Sequence, residues 1–517
     1  MKSIKILLSV ILIASICGCS DFLDKNPLVN PAAETYYQTE QDCFDAIMGL
    51  YSFSQRETFY LAPWLIIGDG ASDDCVLGNE VSDGYSWLGP RARPLIEFEI
   101  LPTSDQISGC WNQCFSGVSF ATVAIERIGE NMNIPEATKN IFLGEAYFLR
   151  AFYYFSMVRM YGRLQIVDHV LSYDEYFMPR ASIEETWAFI ESDCKMAASL
   201  LPERKDYPEG QTGRATKGAA NSLLGKSYIY QGKFQDAYNI LTTVVASGQY
   251  GLLPVYEHVF DLDHQNSEES VYAIQHASTD TGWSDDNEGN ILSFYSHDWD
   301  PDDDIKWHNG WAMHCPTQDL LDSYEPGDPR LAATIIFPGE FFDGRINPNY
   351  ASSTGYLVKK WYIPWGQRSN DQSDCQKNII FIRYADVLLY LAEAANEIGR
   401  TSEALDYLEQ VRARARSNSD DPNVLPRRTE TDRNALRDLI WHERRVELAC
   451  EWQRFYDLVR QGRAGQVLRA YWEKYSATHP LYPNKGRYFV DGRNEIFPIP
   501  NAQILASDGT LEQNPGY

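Results

Sequence analysis

Two stretches of this chain repeat the same helical hairpin in one register, and that repeat constrains the fold more than any other feature. With Gly232 aligned on Gly399, an offset of 167, Leu224 meets Leu391, Ala237 meets Ala404, Leu241 meets Leu408 and Val244 meets Val411. In the first copy Leu224-Gly225 precedes Tyr228, and Ala237 and Leu241 follow. This is the skeleton of a tetratricopeptide repeat, with Leu in the Phe place. Small residues at Gly225/Ala392 and Ala237/Ala404 let two antiparallel helices approach closely, and large neighbours fill the space beside them.

The rest of the chain reads around that scaffold. Helical periodicity is expected over about 31–60, centred on Phe44, Ile47 and Tyr51, then over 111–247 and 378–465. The run FLGEAYFLRAFYYFSMVRMYG is apolar on most faces, so its helix should be buried. Residues 61–110 and 250–375 change to Gly, Asp, Asn, Pro and Trp with short strand-like pieces, and read as irregular. The expected fold class is mostly α: a tetratricopeptide-like helical-hairpin scaffold with a large loop-rich insert carrying short strands. Loops held on a rigid scaffold are where binding usually resides.

The N-terminus reads as a leader. Lys2 and Lys5 precede the apolar stretch from Ile6 to Ile16, which is shorter than the about 20 residues a spanning helix needs. Ile16-Cys17-Gly18-Cys19 then matches a bacterial lipoprotein cleavage site. The expectation is a signal peptide over 1–18, lipidation of Cys19, and a tethered chain over 19–517. One acyl chain anchors only marginally, so stable attachment requires more than one on that cysteine. The formal net charge is −27. The leader holds two of the 45 basic residues and none of the 72 acidic ones, so its removal leaves −29. Such a chain repels phosphate backbones, and nucleic-acid binding is not expected. Eight further cysteines are scattered without a C-x-x-C, and read as buried free thiols.

Catalytic motifs are missing: there is no H-E-x-x-H, G-x-S-x-G or P-loop pattern. His308, His314 and Cys315 are near in sequence, but their spacing matches no standard zinc site. Asp298, Asp300, Asp302 and Asp304 alternate in DWDPDDD. Hard oxygens at that spacing suit calcium, yet the EF-hand pattern fails at Asp303 and Asn309. The run therefore reads first as a solvated acidic loop, with calcium as the one cation it suits. No other cofactor is expected. Several tryptophans sit in Gly/Asp-rich segments rather than on helical faces: Trp87, Trp283, Trp299, Trp307 and Trp311, with Tyr85 and Tyr295 close by. Flat aromatic faces stack on the C–H faces of sugar rings, and neighbouring polar groups bond the hydroxyls.

In order and spacing, several segments together resemble the SusD/RagB family of nutrient-uptake lipoproteins. They are Cys19-Ser20-Asp21-Phe22-Leu23-Asp24 with Pro27, GEAYFLRAFYYFSMVRMYG, ANSLLGKSYIYQGKFQDAYNIL, CPTQDLLDSYEPGDPR, IRYADVLLYLAEAANEIGR, ERRVELACEWQRFYDLVRQGRA and the closing FPIPNAQILAS…LEQNPGY. The resemblance implies a non-enzymatic lid on a SusC-like TonB-dependent transporter of the outer membrane, surface-exposed and lipid-anchored, that captures oligosaccharides. Some relatives handle peptides instead, and a glycoside hydrolase is the least supported alternative. By region, the resemblance points to two ligand-contacting loops. The first contains Asp69, Asp73, Asp74, Tyr85 and Trp87; the second contains Trp283, Tyr295, Trp299, Trp307 and Trp311.

Overall fold

The structure is a computed structural model and describes residues 36–77, 88–208, 210–279, 288–296, 310–347, 352–369, 371, 374–475 and 483–517. The expected leader, with Cys19, lies outside the described residues. Helix α1 (Glu40–Gln55) begins at a reciprocal cap: the Thr39 hydroxyl accepts the Asp42 N–H, and the Asp42 carboxylate accepts the Thr39 N–H at 2.8 Å. Two long helices follow, α2 (Asp105–Glu130) and α3 (Glu136–Tyr161). Every residue of α3 from Phe148 to Tyr161 is buried, as its all-round apolar text requires. Helix α2 packs against it, as does α4 (Ile183–Leu200), which opens on a second reciprocal cap between Ser182 and Glu185.

The repeat is present as read. Its first hairpin is α5 (Lys217–Tyr230) with α6 (Phe234–Ala246), and its second is α7 (Tyr384–Glu397) with α8 (Thr401–Arg416). Both pairs of helix starts, Lys217 with Tyr384 and Phe234 with Thr401, keep the 167-residue offset. The turns are made by Gly232 and Gly399 at φ +69° and +80°, backbone that L side chains rarely adopt. The hairpins stack on each other through α6 and α7. Across the same side the Tyr238 hydroxyl donates to Glu403 and accepts from Arg400 at 3.3 Å.

Close approach within the first hairpin depends on Gly225. A Cβ there would lie 2.3 Å from Leu241 Cδ2. Gly225→Ala is expected to lower the chemical-denaturation midpoint, because overpacking of about 1–3 kcal/mol outweighs the helix propensity gained, about 1 kcal/mol. In a Leu241→Ala background the same change is expected to be neutral or stabilising. A stabilised single variant would refute the crossing.

Short strands and bends link the helices, most of them between the two hairpins. Strand β1 (Cys75–Leu77) pairs antiparallel with β3 (His314–Pro316), and β2 (Ser270–Ile274) pairs antiparallel with β4 (Ile379–Arg383) through a bulge. Two smaller ribbons pair Ile335–Ile336 with Leu357–Val358 and Glu340–Phe342 with Arg345–Asn347. The β2–β4 ribbon seats on α3: Tyr272 and Phe381 meet the Phe152 ring at 5.4 and 4.7 Å between centroids, edge to face.

One expected loop is largely ordered. Within 61–110, Leu61–Gly70 forms a π-helix buried at every residue, Leu88–Ile96 is helical, and α2 starts at Asp105. Gly, Pro and Asp gave that stretch a loop-like composition, but Leu61 to Ile67 is an unbroken apolar run that the core absorbs. The eight described cysteines are all buried and free, as expected.

The insert is joined to the second hairpin by a buried ion network. Glu447, near the end of α9 (Arg433–Glu447), accepts from Arg330 at 2.9 Å, from Arg383 at 2.6 Å and from Arg414. Glu269 accepts from Arg383 and Arg414, both at 3.0 Å, and Glu451 accepts from Arg383 at 2.7 Å.

Candidate functional site

The β1–β3 ladder brings the two expected loop regions together. Its register pairs Leu77 with His314 and Cys75 with Pro316. Because the strands are antiparallel, the chain leaving β1 after Leu77 and the chain entering β3 before His314 stand at one end of the ladder. Residues 78–87, with Tyr85 and Trp87, continue from the first. Residues 297–309, with Trp299, Trp307 and the acidic run Asp298, Asp300, Asp302 and Asp304, precede the second. These residues, and Trp283, lie outside the described residues.

The three carboxylates assigned to the first loop are structural, which corrects the expectation that they face ligand. Asp69, Asp73 and Asp74 are buried, and their partners are His314 and residues of the C-terminal third. Asp69 Oδ1 accepts the Trp452 backbone N–H at 3.1 Å, and Oδ2 faces His314 Nε2 at 3.1 Å. Burial pushes the Asp69 carboxyl up, partly offset by His314. Asp73 is held by Arg454 of α10 (Arg454–Arg460) through two bonds of 2.8 Å, a side-by-side guanidinium–carboxylate pair. Arg445 of α9 reaches Asp73 at 3.0 Å, Asp74 at 2.7 Å and Asp319 at 2.7 Å. Burial raises both carboxyls of the pair, but the two arginines overcome it at Asp73 and hold that group low. At Asp74, burial and the Asp73 charge win, and its carboxyl is raised.

Tyr295 is a second correction. Its ring is fully buried and its hydroxyl donates to Glu57 Oε1 at 2.5 Å, so it supports the site from below. Trp311 is half-buried and packs on Phe294 and Tyr295 at 4.9 and 5.5 Å between centroids. Of the expected aromatics, it is the one whose described position leaves part of the side chain accessible beside the ladder.

His314 does not group with Cys315. Alternation along β3 sends them to opposite faces, and the Cys315 thiol donates to the Ala312 carbonyl at 3.0 Å. His314 instead stacks on Trp452 (5.1 Å, 22°) beside the buried Cys75 and Cys450. Trp361 also packs on Trp452, at 4.8 Å between centroids. Sequence reading missed Arg445, Arg454 and Trp452, which lie within the ERRVELACEWQR segment already singled out. A second group of potential metal ligands, His258, Asp261 and His264, is partly exposed in the segment just before β2, with the two imidazoles stacked at 4.1 Å. It was not anticipated either. Two open cavities lie away from the ladder. One of about 540 Å³ is lined by α1 residues Phe44, Tyr51 and Gln55 with Arg214 and Gln275. The other, about 430 Å³, is lined by Arg159, Arg180, Trp187, Tyr230 and Tyr456. No described helix is long and apolar enough to cross a membrane.

The chain is similar to known proteins along most of its length. Residues 268–517 match the family model described as SusD family, and residues 91–229 match one described as starch-binding associating with outer membrane. The SusD-like protein P2 of Formosa agariphila is 26% identical over an alignment of 539 positions that covers all of both chains. A solved structure titled laminarin binding SusD-like protein is 27% identical, covers 93% of this chain and 100% of its own, and superposes with a TM-score of 0.76. A SusD homolog from Bacteroides thetaiotaomicron has a TM-score of 0.81 at 21% identity, over 94% of this chain and 98% of its own, and shows the shared fold.

Proposed function

The chain belongs to the SusD family, and from that premise we propose that it is a cell-surface glycan-binding lipoprotein of the outer membrane. On this reading residues 1–18 are removed, lipid on Cys19 tethers residues 19–517, and the protein delivers oligosaccharide to a SusC-like TonB-dependent transporter. The observation that carries the reading is the similarity, along nearly the whole of both chains, to a protein named for laminarin binding. The ladder supports it by rooting two Trp-bearing segments at one end.

The chemistry is binding without bond breaking. The carboxylates nearest the ladder are engaged with Arg445, Arg454 and His314, which leaves them poorly placed as an acid and nucleophile pair. Stacking by Trp87, Trp283, Trp299, Trp307 and Trp311 would supply affinity, with hydroxyl hydrogen bonds from neighbouring polar groups.

Titration of the purified protein with laminarin oligosaccharides tests the reading. Binding is expected, and replacing two of the five tryptophans with alanine is expected to weaken it at least about tenfold, a loss of about 1.4 kcal/mol. Unchanged affinity in those variants would refute the platform. A blank result across a glycan panel beside retained peptides would reverse the ligand class.

A further inference from the structure

Two thiols and an imidazole are buried together behind the ladder. Cys75 Sγ and Cys450 Sγ are 3.6 Å apart, and a ring nitrogen of His314 lies within 4.8 Å of both sulfurs. All three side chains are buried. In the ladder, Cys75 sits on the same face as Leu77, and Leu77 pairs with His314, so the strand alternation itself directs the thiol and the imidazole to one side. Cys450 arrives from beyond α9 at φ +60°.

The imidazole is oriented from outside the group. His314 Nε2 is engaged by Asp69 Oδ2, and Asp69 is held by the Trp452 N–H. With the proton on Nε2, the lone pair is on Nδ1, and that atom is buried without a hydrogen-bond partner. Leaving such an atom unsatisfied costs its full desolvation penalty, which a bound cation would remove. Two thiols and one imidazole form the donor set of a soft-ligand tetrahedral ion. Zn–S bonds of about 2.3 Å put two sulfurs about 3.7–3.8 Å apart, close to the spacing here, whereas a disulfide needs about 2.05 Å. A carboxylate on the far nitrogen is the usual support of a metal-bound histidine.

We propose that Cys75, His314 and Cys450 bind one zinc-class ion, His314 through Nδ1, with Asp69 as the positioning residue and the fourth tetrahedral position taken by water. Binding displaces the two thiol protons to solvent, and the two thiolates then balance the ion's charge. The ion would join β1, β3 and the segment after α9 at the base of both loops. This site stands whether or not the glycan reading holds.

The test uses the protein purified under reducing conditions with zinc. About one equivalent of zinc is expected by elemental analysis. Cobalt in its place should give a thiolate-to-metal charge-transfer band, and a chelator should lower the thermal midpoint until zinc is restored. Cys75→Ser and Cys450→Ser should lose the metal. Asp69→Asn should retain it with affinity lower by about 10- to 100-fold. Metal-free wild-type protein with no cobalt–thiolate band and a zinc-insensitive midpoint would overturn the site, as would a Cys75–Cys450 disulfide found by mass spectrometry. The wild-type measurements decide even if a serine variant fails to fold.

Discussion

Replacing Glu447 with alanine is expected to destabilise the protein by about 3–5 kcal/mol, the cost of removing one partner from a buried ion pair. The carboxylate is fully buried and receives Arg330, Arg383 and Arg414, each itself buried. Arg383 retains Glu269 and Glu451, and Arg330 retains Asp328 and Glu443, but the charge balance around all three guanidiniums is lost together. Glu447→Gln separates charge from volume: it keeps the packing, and is expected to remain well below wild type in denaturant unfolding at pH 7. Acid provides an independent check. Burial pushes the Glu447 carboxyl up, but the arginines outweigh it and hold the group well below the usual carboxylate range. A depressed folded-state pKa gives stability that is present above the unfolded value of 4.5 and lost as pH falls below it. Wild-type stability should therefore fall in acid more steeply than that of Glu447→Gln. A variant within about 1 kcal/mol of wild type, with the same acid slope, would mean that the network is solvated and contributes little.

The second large effect is expected at Arg445, and it connects stability to binding. Its guanidinium reaches Asp73 and Asp74 just before β1, and Asp319 just after β3. One side chain thus holds the outer ends of both strands whose other ends carry the proposed ligand-binding segments. Arg445→Met leaves Asp74 buried beside Asp73 without its closest cation, and is expected to cost about 3–5 kcal/mol. Affinity for a glycan ligand is expected to fall at least about tenfold although Arg445 is not proposed to touch it, because a misplacement on the order of 1 Å in supporting groups is enough to loosen a site. Arg445→Lys should rescue poorly, since an ammonium cannot reproduce a planar fork shared among three carboxylates. Lower stability with unchanged affinity would show that the clamp holds the fold and leaves the loops indifferent.

Some of this was open to reading from residues alone. The hairpin repeat rests on small residues at a helix crossing and on glycines at two turns, and both signals are local. Gly225 against Leu241 and Gly232 at positive φ are their structural counterparts. The burial of α3 followed from an apolar text with no polar face. The cysteines read as free thiols because no spacing joined them, and they are free.

The site was legible by region and much less by residue. Asp69, Asp73 and Asp74 stand in a Gly/Asp-rich segment whose composition is that of a solvated loop. What turned them inward is Arg445, Arg454 and Trp452, supplied from the far end of the chain. Tyr295 looked like a ligand-facing aromatic until Glu57 accepted its hydroxyl beneath the site. His314 was read beside its sequence neighbour Cys315, and strand alternation separates that pair while the fold delivers Cys75 and Cys450 instead. The sequence by itself determined the helical scaffold, its repeat, its central buried helix and the segments from which a site would be drawn. These follow from short-range periodicity and from residue size at contacts a few turns apart. Only the tertiary structure decided which charges are neutralised and which donors meet. A buried carboxylate's role is set by whatever cation or donor packs against it, and here those partners lie hundreds of residues away in the chain.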